Sequence, residues 1–459
     1  MLKKTKTLIE ETFSLTLNTN QTRVITRLVF EISRRDNISQ NQVIIDLAAS
    51  LSLSKYSPET KFLALRKQLT GLRFPITTKN QRINPAEIYL AEFKEPLKNN
   101  CQVSKNFVPL KVFVETAVKN SYILENIKRL FPKVEIVELE YYSTYLKNNK
   151  FKVEDLKKPM LFLTKEKWDF IKPCPCTKHH LRCGYWIFNL GFGCPFDCSY
   201  CFLEQYTNFP GIILPANIDD FFEKFDKFHD TLKTTIRLGT GEFCDSLALD
   251  HITEYSRKLI PYFAKKDKVI FELKTKSDNI GNVLKCAPSK NIVISWSVNP
   301  KDLSLTEELG APSLTERLAA AKKVQDKGFS VAFHFDPIIH FQGWEQKYQS
   351  VVDEIYDTVT PPFSWISLGT LRSNRELKTV CEARFPKSNI FYGELLIGED
   401  KKLRYPEFLR KEIYEKVFGW IRGRDKKTPV YLCMESKDTW RCIGEFDNTS
   451  QIESYIINR

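Results

Sequence analysis

The sequence predicts an α/β protein, a partial (βα)6 TIM-type barrel preceded by a small N-terminal helical domain. Two observations lead there. From about residue 108 onward, short apolar runs alternate with helix-like segments, the pattern of buried parallel strands joined by crossover helices. Six of these runs belong to the barrel, too few for a complete eight-stranded one. The first hundred residues instead carry apolar residues at helical spacing.

In chain order, residues 1–100 read as a basic helical accessory domain with its linker, and residues 101–459 as the barrel-bearing domain. Residues 20–34 place Val24, Ile25, Leu28, Val29 and Ile32 on one helical face. Residues 40–53 repeat this with Val43, Ile44, Leu47, Ala48 and Leu51. A third block starts at Pro58, runs through Phe62, Leu65 and Leu69, and stops at Gly71. Residues 84–100 read as linker. With 16 Lys and Arg against 9 Asp and Glu, these hundred residues carry +7, about half of the chain's +13. A compact basic three-helix unit suits a nucleic-acid-binding helix-turn-helix, or a helical cap whose charges only face water. Strand-like runs follow at 109–115, 134–139 and 159–164. The barrel runs lie at 186–191, 235–239, 268–274, 292–298, 329–335 and 363–369. Helices are expected between them at 218–231, 250–264, 277–286, 314–327 and 345–358.

The chain is 42% hydrophobic and 27% charged over 459 residues, which excludes a disordered, collagen-like or plain coiled-coil protein. A sequence pI of about 9.0 makes a polyanion a plausible partner. No stretch reaches the ~18 consecutive apolar residues of a membrane helix. The N-terminus, MLKKTKTLIEETFSL, has no apolar core and no small-residue cleavage site. A cytoplasmic protein with no membrane partner is therefore expected. In that reducing compartment, the 12 cysteines point to metal ligands, reactive thiols or small buried hydrophobes rather than disulfides.

The motif that carries chemistry is GCPFDCSYCFLEQ (193–205), in which Cys194, Cys198 and Cys201 are spaced C-x3-C-x2-C after the first barrel run. Three thiolates on one short loop can ligate three irons of a cubane cluster and leave the fourth iron open to a chelating substrate. A closed zinc site wants four ligands, and no C-x2-C partner pair lies nearby. Glycine-rich RLGTGEF (237–243) ends the second barrel run, where Gly239 and Gly241 allow close approach of backbone to a ligand. A plain β-to-α turn is the simpler alternative there. Lys276 ends the third run and Ser297 the fourth.

At these residues the sequence resembles the radical S-adenosylmethionine (SAM) superfamily, down to the aromatic, Tyr200, before the last cysteine. The resemblance implies a [4Fe-4S] cluster on Cys194, Cys198 and Cys201, with the amino and carboxylate groups of SAM on the open iron. It further implies reductive cleavage of SAM to methionine and a 5′-deoxyadenosyl radical, the electron coming from a donor such as a flavodoxin or ferredoxin. Tyr200, Gly239, Gly241, Glu242, Lys276 and Ser297 are then the cofactor-binding candidates. Glu242 would engage the SAM ammonium, Lys276 its carboxylate, and Ser297 its ribose or carboxylate.

A narrower resemblance is to spore photoproduct lyase and its relatives. DSLALDH (245–251), the Lys276 and Ser297 segments, FDPIIHFQGWEQKY (335–348) and RFPK (384–387) occur in that family's order, over approximately residues 108–435. The family repairs a thymine dimer in DNA, with a cysteine after the second strand as hydrogen donor and an assisting tyrosine after the third cluster cysteine. Here the donor position falls at Glu242, with Cys244 two residues later, and the tyrosine position is Phe202. A two-residue shift in an extended segment keeps the same face, so Cys244 is the candidate catalytic donor. The resemblance implies DNA repair chemistry on a nucleic-acid base or lesion, DNA or RNA. The alternative is a radical SAM enzyme that modifies a peptide or small molecule with the help of an auxiliary cluster.

KPCPCTKHHLRCGY (172–185) gathers Cys174, Cys176, Cys183, His179 and His180, and Cys433 stands in VYLCMES (430–436). Thiols with imidazoles suit a second iron–sulfur cluster or a zinc. The plainer alternative is a surface loop with incidental thiols. Cys101, Cys286, Cys381 and Cys442 have no partner spacing and read as buried or incidental.

Overall fold

In the computed structural model, residues 2–78, 90–93, 107–149, 159–166, 170–176, 180–206 and 209–457 are described. The expected linker 84–100, apart from 90–93, lies outside the described residues, as do Cys101 and His179. The chain divides into two compact units. One holds residues 1–93 with 340–342 and 389–396, and the other holds the rest.

The first unit is helical, with more helices than its three obvious blocks. Thr19–Asp36, Gln40–Ser50 and Pro58–Arg73 occupy the expected places, with Leu2–Phe13 before them and Pro75–Thr78 after. The leading helix is hard to see in sequence because its buried positions, Thr5, Ile9 and Phe13, form a single i+4 row that includes a threonine. Asn18 and Gln21 form a reciprocal capping box at the start of Thr19–Asp36. Ile25, Val29, Ile32, Val43, Ile44, Leu47, Leu65 and Leu69 make the core. Val24 and Ala48, expected on the inner faces, are exposed, because each sits at the edge of its apolar stripe. Residues 389–396 join this unit through Glu394, whose carboxylate accepts the backbone N–H groups of Ile76 (3.0 Å) and Thr77 (2.7 Å). Arg73 pairs with Glu31 (Nε to Oε2, 2.8 Å).

The second unit contains a four-stranded parallel sheet and a larger, mostly parallel one. Lys111–Glu115 (β1), Glu135–Leu139 (β2) and Met160–Thr164 (β3) are the three early runs. They pair with one another and with Ile212–Pro215 (β6) in the order β2-β1-β3-β6. The β6 strand carries no clear signal in sequence, being four residues between Gly211 and Ala216. The second sheet has eight strands. Ile171–Pro173 (β4), Tyr185–Phe188 (β5), Ile236–Gly239 (β7), Val269–Thr275 (β8), Ile292–Ser297 (β9), Ser330–Ile338 (β10) and Ile366–Thr370 (β11) are joined by Val430–Leu432. The order runs from Val430–Leu432 through β11, β10, β9, β8, β7 and β5 to β4. Every neighbouring pair is parallel except β4 with β5. All six barrel runs are thus present, in sequence order, with one further strand on each edge. The buried faces of β8, β9 and β10 read as near-continuous apolar runs because helices cover them.

Two expected helices differ. Residues 277–286 form only the short 3-10 turn Val283–Lys285. The N–H of Ser277 donates to Thr275 Oγ1 (2.8 Å) and that of Asn279 to Ser277 Oγ (3.0 Å). The amides of Asn279 and Asn282 donate to the carbonyls of Leu247 (3.1 Å) and Asp250 (2.9 Å). Such side-chain bonds compete with the helical ladder and win here. The 250–264 segment breaks at Glu254 (φ 47°) into Asp250–Thr253 and Tyr255–Phe263. Lys301–Glu307, Arg375–Arg384 and Glu407–Arg424 are helices that the alternation did not announce.

Candidate active site

The C-x3-C-x2-C loop leaves β5 and is tied down on both sides before its first cysteine. Phe192 and Ile213 exchange backbone hydrogen bonds of 3.0 and 2.8 Å, and Gly193 N–H donates to Phe243 C=O at 2.9 Å. Gly193 has φ +97°, and a Cβ there would lie 3.0 Å from the Gly211 carbonyl oxygen, so only glycine suits the turn. Further on, Ser199 N–H donates to Glu307 C=O at 2.9 Å, and Ser199 Oγ donates to the Glu307 carboxylate. Arg384, from the RFPK segment, donates to Asp197 at 2.6 Å and pairs with Glu204.

Cys194 and Cys201 are partly buried and Cys198 is buried. Burial pushes all three thiols above their ordinary values. Their mutual repulsion and Asp245 add to this at Cys194, while Lys276 pulls Cys198 and Cys201 back. Three cysteine sulfurs on one short loop are the donor type an iron–sulfur cluster takes. Among the described residues, no three His, Cys, Asp or Glu side chains are gathered around one point as a ready-made ion site. The fit to a cluster is therefore one of donor type, loop and surroundings.

Tyr200 does not point into open space. Its hydroxyl donates to Glu308, which also pairs with Arg317 and accepts from Asn299 Nδ2 at 2.9 Å. Asn299 Oδ1 accepts from Tyr348 at 2.9 Å, and Arg317 donates to the Ser297 carbonyl at 3.0 Å. The Arg317 and Glu308 side chains are both fully buried. Burial alone would raise Glu308, but Arg317 and Lys276 outweigh it and hold the carboxyl at about 2. This network locks the second half of the cysteine loop to the segment after β9. The sequence reading missed Glu307, Glu308 and Arg317. Two adjacent acids at the end of a helix carry no signal until the fold shows both of them buried.

Lys276 lies 5.7 Å from the Tyr200 ring centroid. Burial lowers its pKa, yet Cys198 and Glu308 outweigh that and keep the ammonium charged. Asp245 organises the same corner, accepting Lys276 N–H (2.7 Å), Thr275 Oγ1 (2.5 Å), Leu247 N–H (3.0 Å) and Ala248 N–H (2.9 Å). Lys276 thus faces the cysteine loop across the ends of β5 and β8. Ser297 is buried, and its carbonyl is the atom the network uses.

Gly239 and Gly241 have packing reasons of their own. A Cβ on Gly239 would overlap the Tyr185 hydroxyl, and one on Gly241 would lie 3.0 Å from Lys274 Cβ. Glu242 is engaged by Lys172 (3.1 Å), toward the β4 edge. Cys244 opens onto a narrow cleft with about 20 Å³ of free space, shared with Leu190, Gly193, Pro195, Asp245 and Ser246. Gly193 and Pro195 flank Cys194, so Cys244 and the cysteine loop line one cleft. Burial, then Asp245 and Glu242, push the Cys244 thiol up to about 12, which keeps its hydrogen in place near neutral pH. Phe202 packs edge-on against Tyr206 (5.6 Å) and lies 6.2 Å from the Phe243 ring.

The interior of the eight-stranded sheet is polar. His334 bonds Glu272 (2.7 Å) and Ser367 (2.5 Å), Arg237 bonds Tyr431 (3.0 Å), and Arg372 binds both oxygens of Asp336 at 3.0 Å. Next to Arg372 is the other group of thiols. Its Nη2 reaches Cys433 Sγ at 3.2 Å. Cys174 and Cys176 follow β4 and Cys183 precedes β5. The Cys174 thiol is pushed up by its bond to Cys176, by burial and by the neighbouring Cys433 and Cys183. Cys286 and Cys381 are buried and Cys442 partly so.

The sequence model of the spore photoproduct lyase family matches residues 182–417. A spore photoproduct lyase of Geobacillus sp. is 28% identical over 214 residues, which is 45% of this chain and 62% of that protein. One from Bacillus subtilis is 24% identical over 231 residues, 49% of this chain and 66% of that protein. These matches span just under two thirds of the relatives' length. In three dimensions, a spore photoproduct lyase complexed with dinucleoside spore photoproduct aligns with TM-score 0.62 at 21% identity, over 71% of this chain and 98% of its own. A double mutant of the lyase with bound AdoMet and the same dinucleoside aligns equally well. The shared fold is the curled, mostly parallel sheet of a partial barrel. With the family match running from the residues just before β5 into the Glu407–Arg424 helix, over half of its length, this chain belongs to the spore photoproduct lyase family.

Proposed function

We propose that the protein is a radical SAM enzyme whose cluster sits on Cys194, Cys198 and Cys201 and whose substrate is a nucleic-acid base or lesion. The observation that carries this reading is that Cys244 and Asp245 share one cleft with Gly193 and Pro195 of the cysteine loop, while the Lys276 ammonium faces Tyr200 of the same loop. A [4Fe-4S] cluster with SAM on its open iron supplies reductive cleavage to a 5′-deoxyadenosyl radical, fed by a flavodoxin- or ferredoxin-class donor. The chain's own share is positioning and exclusion of water. The Tyr200–Glu308–Arg317 network holds the loop rigid. Lys276 offers an ammonium to the SAM carboxylate, and Gly239 and Gly241 are the backbone candidates for its amino end, with Glu242 beside them if Lys172 releases it. Ser297 is the ribose-side candidate. Cys244, protonated in its narrow cleft, would return a hydrogen atom to a substrate radical in this reading.

The substrate class rests on the family. The solved relatives bind a dinucleoside spore photoproduct, and the basic helical unit of this chain adds phosphate contacts in this reading. Phe202 at the position of the assisting tyrosine argues for a lesion or base other than the spore thymine dimer itself. The Cys174, Cys176, Cys183 and Cys433 thiols suit a second metal, iron–sulfur or zinc, apart from the reacting cleft. Among the described residues no helix is long and apolar enough to cross a membrane, and 11 free cysteines suit a reducing cytoplasm.

Anaerobic reconstitution tests the reading. With reductant, the protein should convert SAM to 5′-deoxyadenosine, and a pool of damaged or modified oligonucleotides should show a mass change that needs both. Binding should weaken steeply as salt rises, and single-stranded, damaged or mismatched sites should bind better than intact duplex. SAM cleavage without any salt-sensitive binding to DNA or RNA would shift the substrate to a peptide or small molecule.

A further inference from the structure

Four thiols outside the cluster loop come from three separate stretches of chain, and the stretches belong to opposite edges of one sheet. Cys174 and Cys176 follow β4, and Cys183 precedes β5, at one end of the strand order. Cys433 follows Val430–Leu432, at the other end. A partial barrel of this kind leaves two edges that do not meet along their length, and unpaired edges are a liability. Here the backbone brings them together at one corner. Cys174 N–H donates to Tyr185 C=O at 2.8 Å, and Cys176 N–H donates to Cys174 C=O at 2.7 Å. Leu181 and Glu435 form an isolated antiparallel bridge, with Leu181 N–H donating to Glu435 C=O at 3.3 Å. Those two residues stand two positions from Cys183 and Cys433 respectively. Cys433 N–H donates to Leu368 C=O at 2.8 Å, which anchors it to β11.

The surroundings suit a negatively charged centre. Arg372 Nη2 approaches Cys433 Sγ at 3.2 Å, and Arg237 Nη1 approaches the Cys183 carbonyl at 3.5 Å. Four thiolates around a zinc ion or a cubane cluster leave a net negative charge, and guanidinium donors to sulfur or nearby backbone offset it. The Nδ1 atom of neighbouring His180 is buried without a hydrogen-bond partner, a polar atom that the protein's own groups leave unsatisfied.

We propose that Cys174, Cys176, Cys183 and Cys433 hold a thiophilic four-thiolate metal centre, zinc or iron–sulfur, that staples the two edges of the partial barrel. The centre is structural, and it stands whether or not the radical chemistry does. The side chains are not gathered around one point, so the backbone sets the corner and metal binding completes the convergence. Linking Cys183 to Cys433 closes a stretch of about 250 residues, the long-range kind of closure whose entropic cost a cross-link removes from the unfolded chain.

Metal and sulfide counts on the full chain, isolated anaerobically, test this. The expected content is about four irons on the cluster loop plus about one zinc, or about four further irons with sulfide. Zinc or iron absorption spectra should show sulfur ligands at about 2.3 Å. The variant with Cys194, Cys198 and Cys201 all changed to Ala should keep the second complement alone. Cys433→Ser and Cys176→Ser should each lose that complement, keep the first, and melt about 5 °C lower or more. Cys286→Ser, a buried thiol of neither group, should change neither count. If Cys433→Ser does not fold, the triple Ala variant still decides the matter through its metal content. A triple Ala variant without stoichiometric metal, or a Cys433→Ser chain with wild-type metal and melting, would overturn the proposal. Loss of SAM cleavage with the second metal intact would instead strike at the radical SAM reading alone.

Discussion

Cys194, Cys198 and Cys201 lie on one short loop leaving β5, held by neighbours at Phe192, Gly193 and Ser199. Cys174, Cys176, Cys183 and Cys433 come from three stretches that meet only because the first and last strands of one sheet approach each other. Both groups belong to the second unit and adjoin buried polar networks. The first is a local device, and its geometry survives anything that leaves the loop and its anchors intact. The second is a consequence of the fold, and it depends on the two sheet edges meeting at one corner. Damage to the first should therefore cost chemistry and little stability, and damage around the second should cost stability first.

Changing Cys198 to Ala should produce the largest effect. Formation of 5′-deoxyadenosine should fall by at least ~10³-fold, while the melting temperature drops less than in Cys433→Ser. Equal losses of stability in the two variants would break the comparison. Next is Arg317→Met, which leaves Glu308 buried without its guanidinium and should cost about 3–5 kcal/mol in urea unfolding. A cost below about 1 kcal/mol would mean that the loop does not depend on that network. Third is an acid effect at the second group's edge. Burial pushes Asp336 up, but Arg372 and Lys274 outweigh it and hold the carboxyl at about 2. Because the folded value is below the ordinary 3.8, the stabilisation is present above that value and is lost as pH falls through about 2. It is worth about 2 kcal/mol, and Asp336→Asn should remove that part of the acid dependence of the urea midpoint. The smallest effect is expected for SAM cleavage in Cys244→Ala, which should stay within about twofold while lesion turnover fails or gives altered products. Clean turnover without Cys244 would leave the thiol as packing only.

The regions differ in how much of them can be read without the structure. The six barrel runs and the cysteine loop are legible because each is a contiguous segment whose chemistry is set by near neighbours. Lys276 and Asp245 were within reach for the same reason, since each ends or follows a recognisable strand. The 277–286 segment misled because helical spacing of Ile280, Val283 and Leu284 is the same whether or not Ser277, Asn279 and Asn282 turn their side chains onto the backbone. The β6 strand escaped because four apolar residues have no period to measure, and its place in a second sheet depends on β3. Val24 looked inward on its helix until packing set the width of the buried stripe.

By itself, the order of residues determined the helical front part, the alternation of strands and helices, and the three-cysteine loop after β5. Those are features of chain segments, governed by side-chain period, turn chemistry and spacing along the backbone. Only the tertiary structure decided that Tyr200 bonds Glu308 above Arg317, that Glu242 turns to Lys172, that Cys244 opens onto the same cleft as Cys194's neighbours, and that the stretches bearing Cys183 and Cys433 meet at the Leu181–Glu435 bridge. The reason is that each of these pairs residues far apart in sequence. Such a contact exists only once burial has repaid the entropy of closing the chain between them.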